Sequence, residues 1–557
     1  MQLCGSDILV KTLIEQGCET VFGYPGGQIL NVYDSLYKYQ KEIHHVLTAH
    51  EQGAAHAADG YARTTGKVGV VISTSGPGAT NLVTGIATAY LDSIPMVAIC
   101  GNVPTTQIGT DSFQEIDITG VTLPITKHNY FVSDVRALAD TIREAFRLAK
   151  SGRPGPVLID VPKDVQIASC EYEPKPPVEK DAPFAAKDVR IAEAAEILNA
   201  AKRPFIYFGG GVITSNAQAE VLALAEKIDA PIGCSLMGLS AIPTDHPRFL
   251  GMQGMHGHYA SSMSMHHADV ILSLGVRFND RVTGNRTKFA TGAKIVHIDV
   301  DGSELNKTVH SVCGLRGDVR LTLQKLLPLL DGGAKPEWMA RVDAFREEED
   351  RYLDNREGLT PRRAILTVNK YLGENTAVCT DVGQHQMWSA QNLTFKTARR
   401  FASSGGLGTM GYGFGAAIGA AYGTGERSVL ITGDGSFGMN LNELATAVRY
   451  NIPVVVVIMN NGVLGMVRQW QTLFYDKHYS NSVLERKTDF AAFAKSFGAD
   501  GEAVTTPEAL DAALGKAFHT EGPYIIDCRI DKDEFVLPML PPGGSMDDII
   551  TKLEVEG

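Results

Sequence analysis

GDGSFGMNLNELATAVRYNIPVVVVIMNNGVLGMVRQW, residues 433–470, follows a short apolar run, SVLIT, at residues 428–432. The apolar run is typical of a buried strand, and the segment at residues 442–450 favours a helix. The β-branched run at residues 453–459 favours a second strand. Because a strand–helix–strand crossover of this length makes its two strands parallel, the stretch predicts a parallel α/β sheet.

Two polar side chains come directly after these strands, Asp434 after the first and Asn461 after the second. The carboxyl ends of parallel strands share one edge of the sheet, where open α/β folds bind ligands. Carboxylate and amide oxygens suit a hard divalent cation such as Mg²⁺. Gly433 and Gly435 let the backbone approach a ligand, and the following helix N-terminus favours a phosphate. A GDG turn alone is also common in ordinary loops, but with the second motif it predicts a metal and diphosphate site.

This stretch resembles the diphosphate- and magnesium-binding motif of thiamine-diphosphate enzymes. The resemblance implies that Asp434, Asn461 and the main-chain carbonyl of Val463 hold the metal. It also implies contacts with thiamine diphosphate from Gln384, His385, Gly408, Met410, Gly433, Gly435, Ser436 and Met466. Met410 would wedge under the cofactor and bend it, although core packing is the more frequent role of a methionine.

Length and composition limit the classes of protein that the chain can form. Its 557 residues predict several domains, and 44% hydrophobic with 20% charged residues is ordinary for a globular protein. A net charge of −12 without a long basic run argues against nucleic acid as a partner, and no apolar stretch is long enough to span a membrane. The N-terminus enters a helical pattern without a signal- or transit-peptide layout, so we expect a cytoplasmic protein with eight free cysteines.

Strand and helix signals alternate over three parts of the chain, which predicts an α/β protein of three doubly wound parallel-sheet domains. The predicted domains cover residues 1–165, 188–335 and 360–535. The family resemblance implies that the first binds the pyrimidine ring of the cofactor, that the central one is FAD-binding-like and that the third binds the diphosphate. A tail follows at 536–557. The stretch EYEPKPPVEKDAPFAA at 171–186 is rich in proline and charge, as is typical of an interdomain linker.

Glu51 begins an Ala- and Gly-rich helical segment that follows a strand signal at residues 44–48. The simplest interpretation is a solvent-facing glutamate in a first helical turn, where the helix dipole favours negative charge. Thiamine-diphosphate enzymes present a glutamate at this place, where it hydrogen-bonds the aminopyrimidine ring of the cofactor. A glutamate with that role needs apolar surroundings, which the neighbouring alanines would provide. We therefore expect Glu51 to be both catalytic and cofactor-binding.

Three other segments would reach the reacting centre according to the same resemblance. The turn at residues 23–27 would offer the backbone N–H of Gly26, and a loop at 109–117 would place Phe113 and Gln114 at the substrate end of the cofactor. Lys127 would bind a substrate carboxylate or hold a loop against the flavin. A solvated surface lysine is the alternative interpretation.

The central domain carries a second group of motifs. A strand signal at residues 204–208 leads into GGG, which lacks the acidic residue of a dinucleotide fingerprint. GMQGMHG (251–257) and GVRFNDRVTG (275–284) resemble FAD-domain motifs of the acetolactate synthase (acetohydroxyacid synthase) family, although Gln253 and Asn279 replace the usual Leu and Asp. The flavin-lining residues implied are Arg153, Gly210, Gly211, Met255, His256, Gly275, Arg277, Asp299 and Asp318.

The resemblance extends from GYPGG at residue 23 to LPMLPPGG at residue 537, and GMVRQW (465–470) belongs to it. It implies decarboxylation of pyruvate and ligation to a second 2-keto acid, pyruvate or 2-ketobutyrate, in branched-chain amino acid biosynthesis. Arg277 and Trp470 would contact that second keto acid. The implied cofactors are thiamine diphosphate, Mg²⁺ and FAD.

The family resemblance further implies a homodimer or homotetramer that shares each thiamine diphosphate between two chains, and a small regulatory subunit. Three alternatives remain open from the sequence. The chain could be a flavin-linked 2-keto-acid oxidase or another thiamine-dependent carboligase. It could also be a non-catalytic scaffold, whose mark would be loss of Glu51 or Asp434, and both residues are present.

Overall fold

The computed structural model describes residues 1–552, which fall into two compact units. The two-sheet unit comprises residues 1–182, 375–385 and 402–529, and the one-sheet unit comprises residues 183–374, 386–401 and the chain from 530 onward. None of the helices described combines the length and apolar character needed to cross a membrane.

The N-terminal sheet has six parallel strands in the order β3-β2-β4-β5-β7-β6, and β1 and β8 form a separate antiparallel pair. The strands are β1 (Gln2–Cys4), β2 (Thr20–Gly23), β3 (His44–Leu47), β4 (Gly69–Ser73), β5 (Met96–Asn102), β6 (His128–Phe131), β7 (Pro156–Pro162) and β8 (Ser169–Glu171). The helices are α1 (Gly5–Glu15), α2 (Leu30–Lys38), α3 (Glu51–Thr65), α4 (Pro77–Asn81), α5 (Val83–Asp92), α6 (Ile118–Thr122), α7 (Val135–Lys150) and α8 (Lys163–Ile167). Every residue of β4, β5 and β7 is buried, as expected where helices cover both faces of a parallel sheet.

The central sheet, in the one-sheet unit, also has six parallel strands, in the order β11-β10-β9-β12-β13-β14. The strands are β9 (Pro204–Phe208), β10 (Ile232–Cys234), β11 (Phe249–Met252), β12 (Val270–Leu274), β13 (Lys294–Asp299) and β14 (Cys313–Arg316). The helices are α9 (Asp188–Asn199), α10 (Gly210–Thr214), α11 (Gln218–Lys227), α12 (Tyr259–His267), α13 (Asp280–Thr283), α14 (Val319–Leu326) and α15 (Pro336–Asp350).

The C-terminal sheet has the order β16-β15-β17-β18-β20-β19, and its strands pair in parallel from β15 to β19. The strands are β15 (Ala377–Thr380), β16 (Phe401–Ala402), β17 (Ser428–Gly433), β18 (Val454–Asn460), β19 (Asp500–Val504) and β20 (Tyr524–Arg529). Helix α16 (Pro361–Asn369) precedes β15 in the chain and belongs to the one-sheet unit. The later helices are α17 (Gln384–Asn392), α18 (Gly413–Thr424), α19 (Asp434–Asn440), α20 (Leu444–Arg449), α21 (Gly465–Phe474), α22 (Phe490–Ser496) and α23 (Pro507–His519). Three parallel α/β sheets confirm the predicted fold class.

Helices α3 and α18 pack together in the two-sheet unit through small residues. A Cβ atom on Gly60 would lie 2.1 Å from the carbonyl oxygen of Ala416, and one on Gly419 would lie 1.8 Å from that of Ala57. Since real Cβ atoms do not approach so closely, only glycine permits this backbone contact. The packing joins the N-terminal and C-terminal sheets into one buried core.

Two segments have structure that the sequence did not predict. Residues 384–392 form helix α17, although their sequence QHQMWSAQN lacks an apolar period. The tail is ordered through residue 552, where Met539 pairs with Ile550 and the N–H of Leu540 donates to the carbonyl of Met255 at 2.7 Å. Burial of Met539 and Leu540 explains this order, and residues 553–557 of the predicted tail lie outside the described residues.

We expect the stability contribution of His56, in α3, to depend on pH. His56 is fully buried and its ring meets that of Tyr412 at 5.2 Å. Burial, with the positive charge of Arg63, lowers the pKa of His56 to about 3, so the unfolded chain takes up the proton first as the pH falls. The imidazole therefore contributes stability above its ordinary pKa of about 6.5 and loses it below.

Replacing His56→Gln removes this pH dependence. We expect the stability difference between the unmodified protein and the variant to shrink by about 1.4 kcal/mol between pH 7.5 and 5.5. Thermal denaturation at both pH values measures it, with the same substitution at solvent-exposed His310 as control. A difference that is constant with pH would contradict the assignment.

Candidate active site

The register of β17 and β18 brings the two polar motifs of the C-terminal sheet together. Gly433 pairs with Met459, so Asp434 and Asn461 both lie just beyond this pair at the carboxyl edge. Burial raises the pKa of Asp434 to about 6, while its own backbone N–H, the charge of Arg486 and the backbone N–H of Asn461 act to lower it.

Side chains from α17 and α21 complete this edge. The Gln384 side-chain oxygen accepts from Asn461 Nδ2 at 3.2 Å, and its amide donates to Gln469 Oε1 at 3.0 Å. The imidazole of His385 lies about 3.0 Å from the place where a Cβ on Gly433 would stand. The edge thus gathers the glutamine, histidine and asparagine that the sequence predicted to lie together.

The loops of the same edge surround the start of α19. A Cβ on Gly435 would meet Leu464 at 2.8 Å and the Met410 methyl group at 3.8 Å, so Met410 lies beside the GDG turn. Ser436 Oγ donates to the carbonyl oxygen of Val382 at 3.2 Å. The predicted residues Gly408 and Met466 belong to flanking segments, and Gly408 adopts a positive φ of 70°.

The residues at this edge fit a metal ion and a diphosphate. Asp434 is only 4% exposed, yet its Oδ1 has no hydrogen-bond partner among the described residues 1–552, and neither has Nε2 of the buried His385. An orphaned buried carboxylate oxygen costs free energy unless a cation or donor meets it. The N–H of Val463 donates to Asn461 Oδ1 at 3.2 Å, so the third residue expected to hold the metal lies beside the second.

Glu51 lies in a separate group at the edge of the N-terminal sheet. Its Oε2 accepts a hydrogen bond from Asn81 Nδ2 at 2.9 Å, and the side chain is 9% exposed. A Cβ on Gly78 would stand 3.2 Å from Glu51 Oε1. His50, with its Nδ1 accepting from the N–H of Gln52, caps α3 and sets Glu51 as the first helical residue.

Two more predicted residues lie around the loop that follows β4. A Cβ on Gly26 would lie 2.4 Å from the Thr74 methyl group, and one on Gly76 would lie 2.9 Å from Gln114 Cβ. Gly76 has a φ of 58° and Gln114 one of 64°, so both use the left-handed region. The loop thus brings Gly26 and Gln114 to the same edge as Glu51.

In the part of the chain that the structure describes, neither Phe113 nor Lys127 hydrogen-bonds to the loop that follows β4. Phe113 is 84% exposed. The ammonium of Lys127 donates to the carbonyl oxygens of Leu148 and Ser151, the latter at 2.7 Å, at the C-terminal end of α7. Burial lowers the pKa of Lys127 to about 8. Its observed partners are those of a helix-capping lysine, because the last carbonyls of a helix attract a cation.

In the one-sheet unit, the central sheet places the glycines of two predicted FAD motifs in contact. The N–H of Gly211 donates to the carbonyl of Gly275 at 3.0 Å, and a Cβ on Gly211 would lie 2.6 Å from the Gly275 Cα. The two glycine loops therefore pack backbone against backbone. His256 is buried, its Nδ1 has no hydrogen-bond partner within the part of the chain that the structure describes, and burial lowers its pKa to about 4. This nitrogen is a buried polar atom that a bound ligand would satisfy. Gly210 begins the short helix α10 beside the glycine loops.

The other predicted flavin residues have protein partners. Asp318 caps α14 by accepting from the N–H of Leu321, and Asp299 accepts from the N–H of Asp301 at 2.8 Å. The carbonyl of Met255 accepts from Leu540 as described above, and the partly buried Arg277 follows β12. Arg153 belongs to the two-sheet unit, where its Nε donates to Ser93 Oγ at 2.8 Å.

Gln253 and Asn279, the two residues that differ from the usual family motifs, lie in the one-sheet unit. The buried Gln253 amide donates to the Ser261 carbonyl at 2.6 Å and to its hydroxyl at 2.8 Å, so the polar side chain is satisfied inside the unit. Asn279 lies exposed immediately before α13. Neither belongs to the edge that carries Asp434.

Two polar neighbours of Glu51 were not predicted from the sequence. Asn81, which follows the loop after β4, is its hydrogen-bond partner. Glu443, a buried carboxylate from beyond α19, accepts from the backbone N–H groups of the two residues before Glu51. An asparagine soon after a glycine-rich loop is a weak sequence signal for Asn81. No local sequence pattern indicates Glu443, which is almost 400 residues away in the chain.

Known proteins match the chain throughout its length. Models of the thiamine pyrophosphate (TPP) enzymes match in order: the N-terminal TPP binding domain at residues 4–121, the central domain at 191–326 and the C-terminal TPP binding domain at 381–528. The probable acetolactate synthase large subunit of Methanocaldococcus jannaschii is 44% identical over 99% of this chain and 96% of its own. In Escherichia coli K12, the large subunit of acetolactate synthase isozyme 2 is 43% identical (99% and 100% covered) and that of isozyme 3 is 41% identical (98% and 98%).

The three sheets, with a GDG–NN edge on one and a buried glutamate on another, define a thiamine-diphosphate-dependent enzyme. This class confirms the predicted cofactor, which is also called TPP. Within it, the chain belongs to the acetolactate synthase large-subunit family, as its relatives share 40% or more of its residues over nearly the full length.

Proposed function

We propose that the protein condenses pyruvate with a second 2-keto acid, releasing carbon dioxide and forming 2-acetolactate from pyruvate or 2-aceto-2-hydroxybutyrate from 2-ketobutyrate. The observation that carries this proposal is the orphaned Asp434 carboxylate beside Asn461, in a chain of the acetolactate synthase family. The products would enter branched-chain amino acid biosynthesis.

The C-terminal edge would hold the cofactor by its charged end. Asp434, Asn461 and the carbonyl of Val463 would bind Mg²⁺, whose charge offsets that of a diphosphate. The neighbouring residues at this edge would contact the diphosphate or line the cofactor: Gln384, His385, Gly408, Met410, Gly433, Gly435, Ser436 and Met466. When bound, thiamine diphosphate supplies an electron sink for the bond to the departing carboxylate.

The N-terminal edge would handle protons. Glu51, held by Asn81 at 2.9 Å, would share a proton with the aminopyrimidine ring, and Gly26, Phe113 and Gln114 would shape the substrate end. From the resemblance to the acetolactate synthase family, we propose that each cofactor is shared by Glu51 of one chain and Asp434 of a second. This arrangement requires at least a homodimer, and a homotetramer would satisfy it as well.

The reaction is redox-neutral, so FAD would have a structural role. Two pyruvates and one proton give one acetolactate and one carbon dioxide, with no electrons left for an acceptor. We propose that FAD binds the one-sheet unit, with the Gly211–Gly275 contact, His256, Gly210, Met255, Arg277, Asp299 and Asp318 as its candidate residues there. Arg277 would also meet the carboxylate of the second keto acid, for which a guanidinium is well suited.

The direct test is an assay of the purified protein with Mg²⁺, thiamine diphosphate and FAD. We expect acetolactate, measured as acetoin after acid treatment, from pyruvate alone, and a mixed product once 2-ketobutyrate is added. An artificial electron acceptor in parallel reactions tests for a flavin-linked oxidase. Reduction of that acceptor without acetolactate would refute the proposal.

Trp470 would select the second keto acid. It lies on α21, with its ring edge-on to Phe474 at 5.6 Å. A large apolar surface discriminates one methylene by about 1–3 kcal/mol. We therefore expect Trp470→Leu to lower the preference for 2-ketobutyrate over pyruvate by about tenfold or more. Product ratios in a competition assay measure it, with Val467→Ala on the same helix as control, and an unchanged ratio would exclude Trp470 from selectivity.

The partners and location of the protein follow by analogy and chemistry. Because the matched relatives are named large subunits, we propose a small regulatory subunit as a partner. The eight cysteines of the chain are free thiols, which suits a reducing compartment, and we propose the cytoplasm.

A further inference from the structure

A buried glutamate from the C-terminal part of the two-sheet unit, Glu443, lies against the beginning of α3. Its carboxylate accepts hydrogen bonds from the backbone N–H groups of Ala49 at 3.2 Å and His50 at 3.0 Å. The hydroxyl of Thr446 donates to the same group at 2.7 Å. The side chain is 0% exposed, so these three donors replace water.

The contact between Glu443 and the start of α3 also depends on a glycine in that helix, Gly53. A Cβ on Gly53 would stand 2.0 Å from Glu443 Oε1, so the carboxylate reaches the backbone only because residue 53 has no side chain. Gly53 lies in the first turn of α3, two residues after Glu51. The glutamate and the glycine therefore form one fitted pair at the start of the helix.

The contacts of Glu443 flank Glu51 within two residues on either side, at Ala49, His50 and Gly53. Burial raises the pKa of Glu443 to about 7, the three donors act to lower it, and the charge of Glu51 raises it further. Because burying a carboxyl group costs free energy, a glutamate kept against the backbone around Glu51 indicates a role other than stability. Neither sheet edge assigned above to the cofactor includes Glu443.

We propose that Glu443 is a positioning residue for Glu51: by holding the backbone N–H groups of residues 49 and 50, it fixes where α3 begins and so where the Glu51 carboxyl stands. This inference rests on the proposed function, because that function gives Glu51 its proton. Glu443, which follows Asp434 in the C-terminal part of the unit, would thus position Glu51 at the edge of the N-terminal sheet. Its contacts with residues 49 and 50 are made within one chain.

The test uses two variants of the full-length protein, Glu443→Gln and Gly53→Ala. A glutamine can accept from only one of the two N–H groups, and its NH₂ meets the other. An alanine at residue 53 displaces the carboxylate while leaving it ionisable. If residues 49–51 shift by about 1 Å, we expect kcat to fall on the order of 100-fold, with the KM for pyruvate and the Kd for thiamine diphosphate nearly unchanged.

A second readout isolates Glu51 from the rest of the reaction. In D₂O without pyruvate, we expect the exchange rate of the thiazolium C2 proton of bound thiamine diphosphate to fall with kcat in both variants. A role in stability alone would lower the melting temperature without changing this rate. If Glu443→Gln does not fold, Gly53→Ala decides the outcome.

Gly60→Ala is the matched control. It lies in the same helix and its Cβ would strike the Ala416 carbonyl at 2.1 Å, which disturbs the packing of α3 on α18 away from Glu443. We expect a lower melting temperature with a normal C2 exchange rate. Parental exchange in Gly53→Ala, or an equal loss in Gly60→Ala, would overturn the inference. If the unmodified protein neither exchanges this proton nor makes acetolactate, the proposed function fails instead.

Discussion

Replacing Glu51→Gln is expected to lower the rate of acetolactate formation by about 10²–10⁴-fold, the usual contribution of a positioned acid–base group. The amide is nearly isosteric and keeps an oxygen for the hydrogen bond from Asn81, but it cannot exchange a proton. The fall should therefore appear in kcat, while the KM for pyruvate changes little. Steady-state kinetics of the purified protein measure both.

The binding of thiamine diphosphate is the control for this variant. In isothermal titration with Mg²⁺ present, Glu51→Gln should bind thiamine diphosphate with the same affinity as the unmodified protein. The reason is that the residues expected to hold the metal and the diphosphate are unchanged. Turnover at the parental rate would remove Glu51 from the mechanism. Loss of both turnover and binding would show that the residue supports the structure of the site instead.

Replacing Asp434→Asn is expected to abolish saturable binding of thiamine diphosphate at micromolar concentrations. The carboxylate is buried, and its unpartnered Oδ1 would meet the metal ion, so the amide removes the charge that Mg²⁺ requires. Mutating a residue that only orients a metal ligand lowers the metal affinity about 10–100-fold. Mutating a direct ligand should therefore lower it by at least about 100-fold. Titration with thiamine diphosphate at several Mg²⁺ concentrations measures the loss.

The two variants control each other. Glu51→Gln should bind the cofactor and turn over slowly, whereas Asp434→Asn should fail to bind and recover activity only at high Mg²⁺ and cofactor. The melting temperature of Asp434→Asn without ligands should not fall, because the burial that disfavours its carboxylate is relieved. Unchanged cofactor affinity in this variant would remove Asp434 from the metal site.

The sheets could be predicted from the sequence because their strands are short apolar runs with turn residues at both ends. The β-branched run 453–459, for example, matches β18 within one residue at either end. Helix α17 could not, since QHQMWSAQN has no apolar period and its glutamine and histidine face a polar edge. Local pattern thus predicted buried strands such as β9, β17 and β18, whereas the buried strands β11 and β20 and the helix α17 were not predicted.

The site residues that could be predicted are those that come directly after a strand in the sequence, such as Asp434 and Asn461. Asp434 and Asn461 meet because β17 and β18 are in register, a consequence of the βαβ crossover. Glu443 could not be found in this way, since its partners at residues 49 and 50 are distant in sequence and use only backbone atoms. The capping contacts of Lys127 were also invisible, because they too are made to main-chain carbonyls.

The two-sheet unit is discontinuous in the chain, and this has a consequence for biosynthesis. On the ribosome, α3 emerges roughly 350 residues before α18, a delay of about 20–70 s at ordinary elongation rates. Throughout that interval the glycine-lined face of α3 has no covering helix, while the one-sheet unit is translated in between. A nascent chain of this design needs shielding until its last third is complete, so its yield in cells should depend on chaperone supply more steeply than its finished stability suggests.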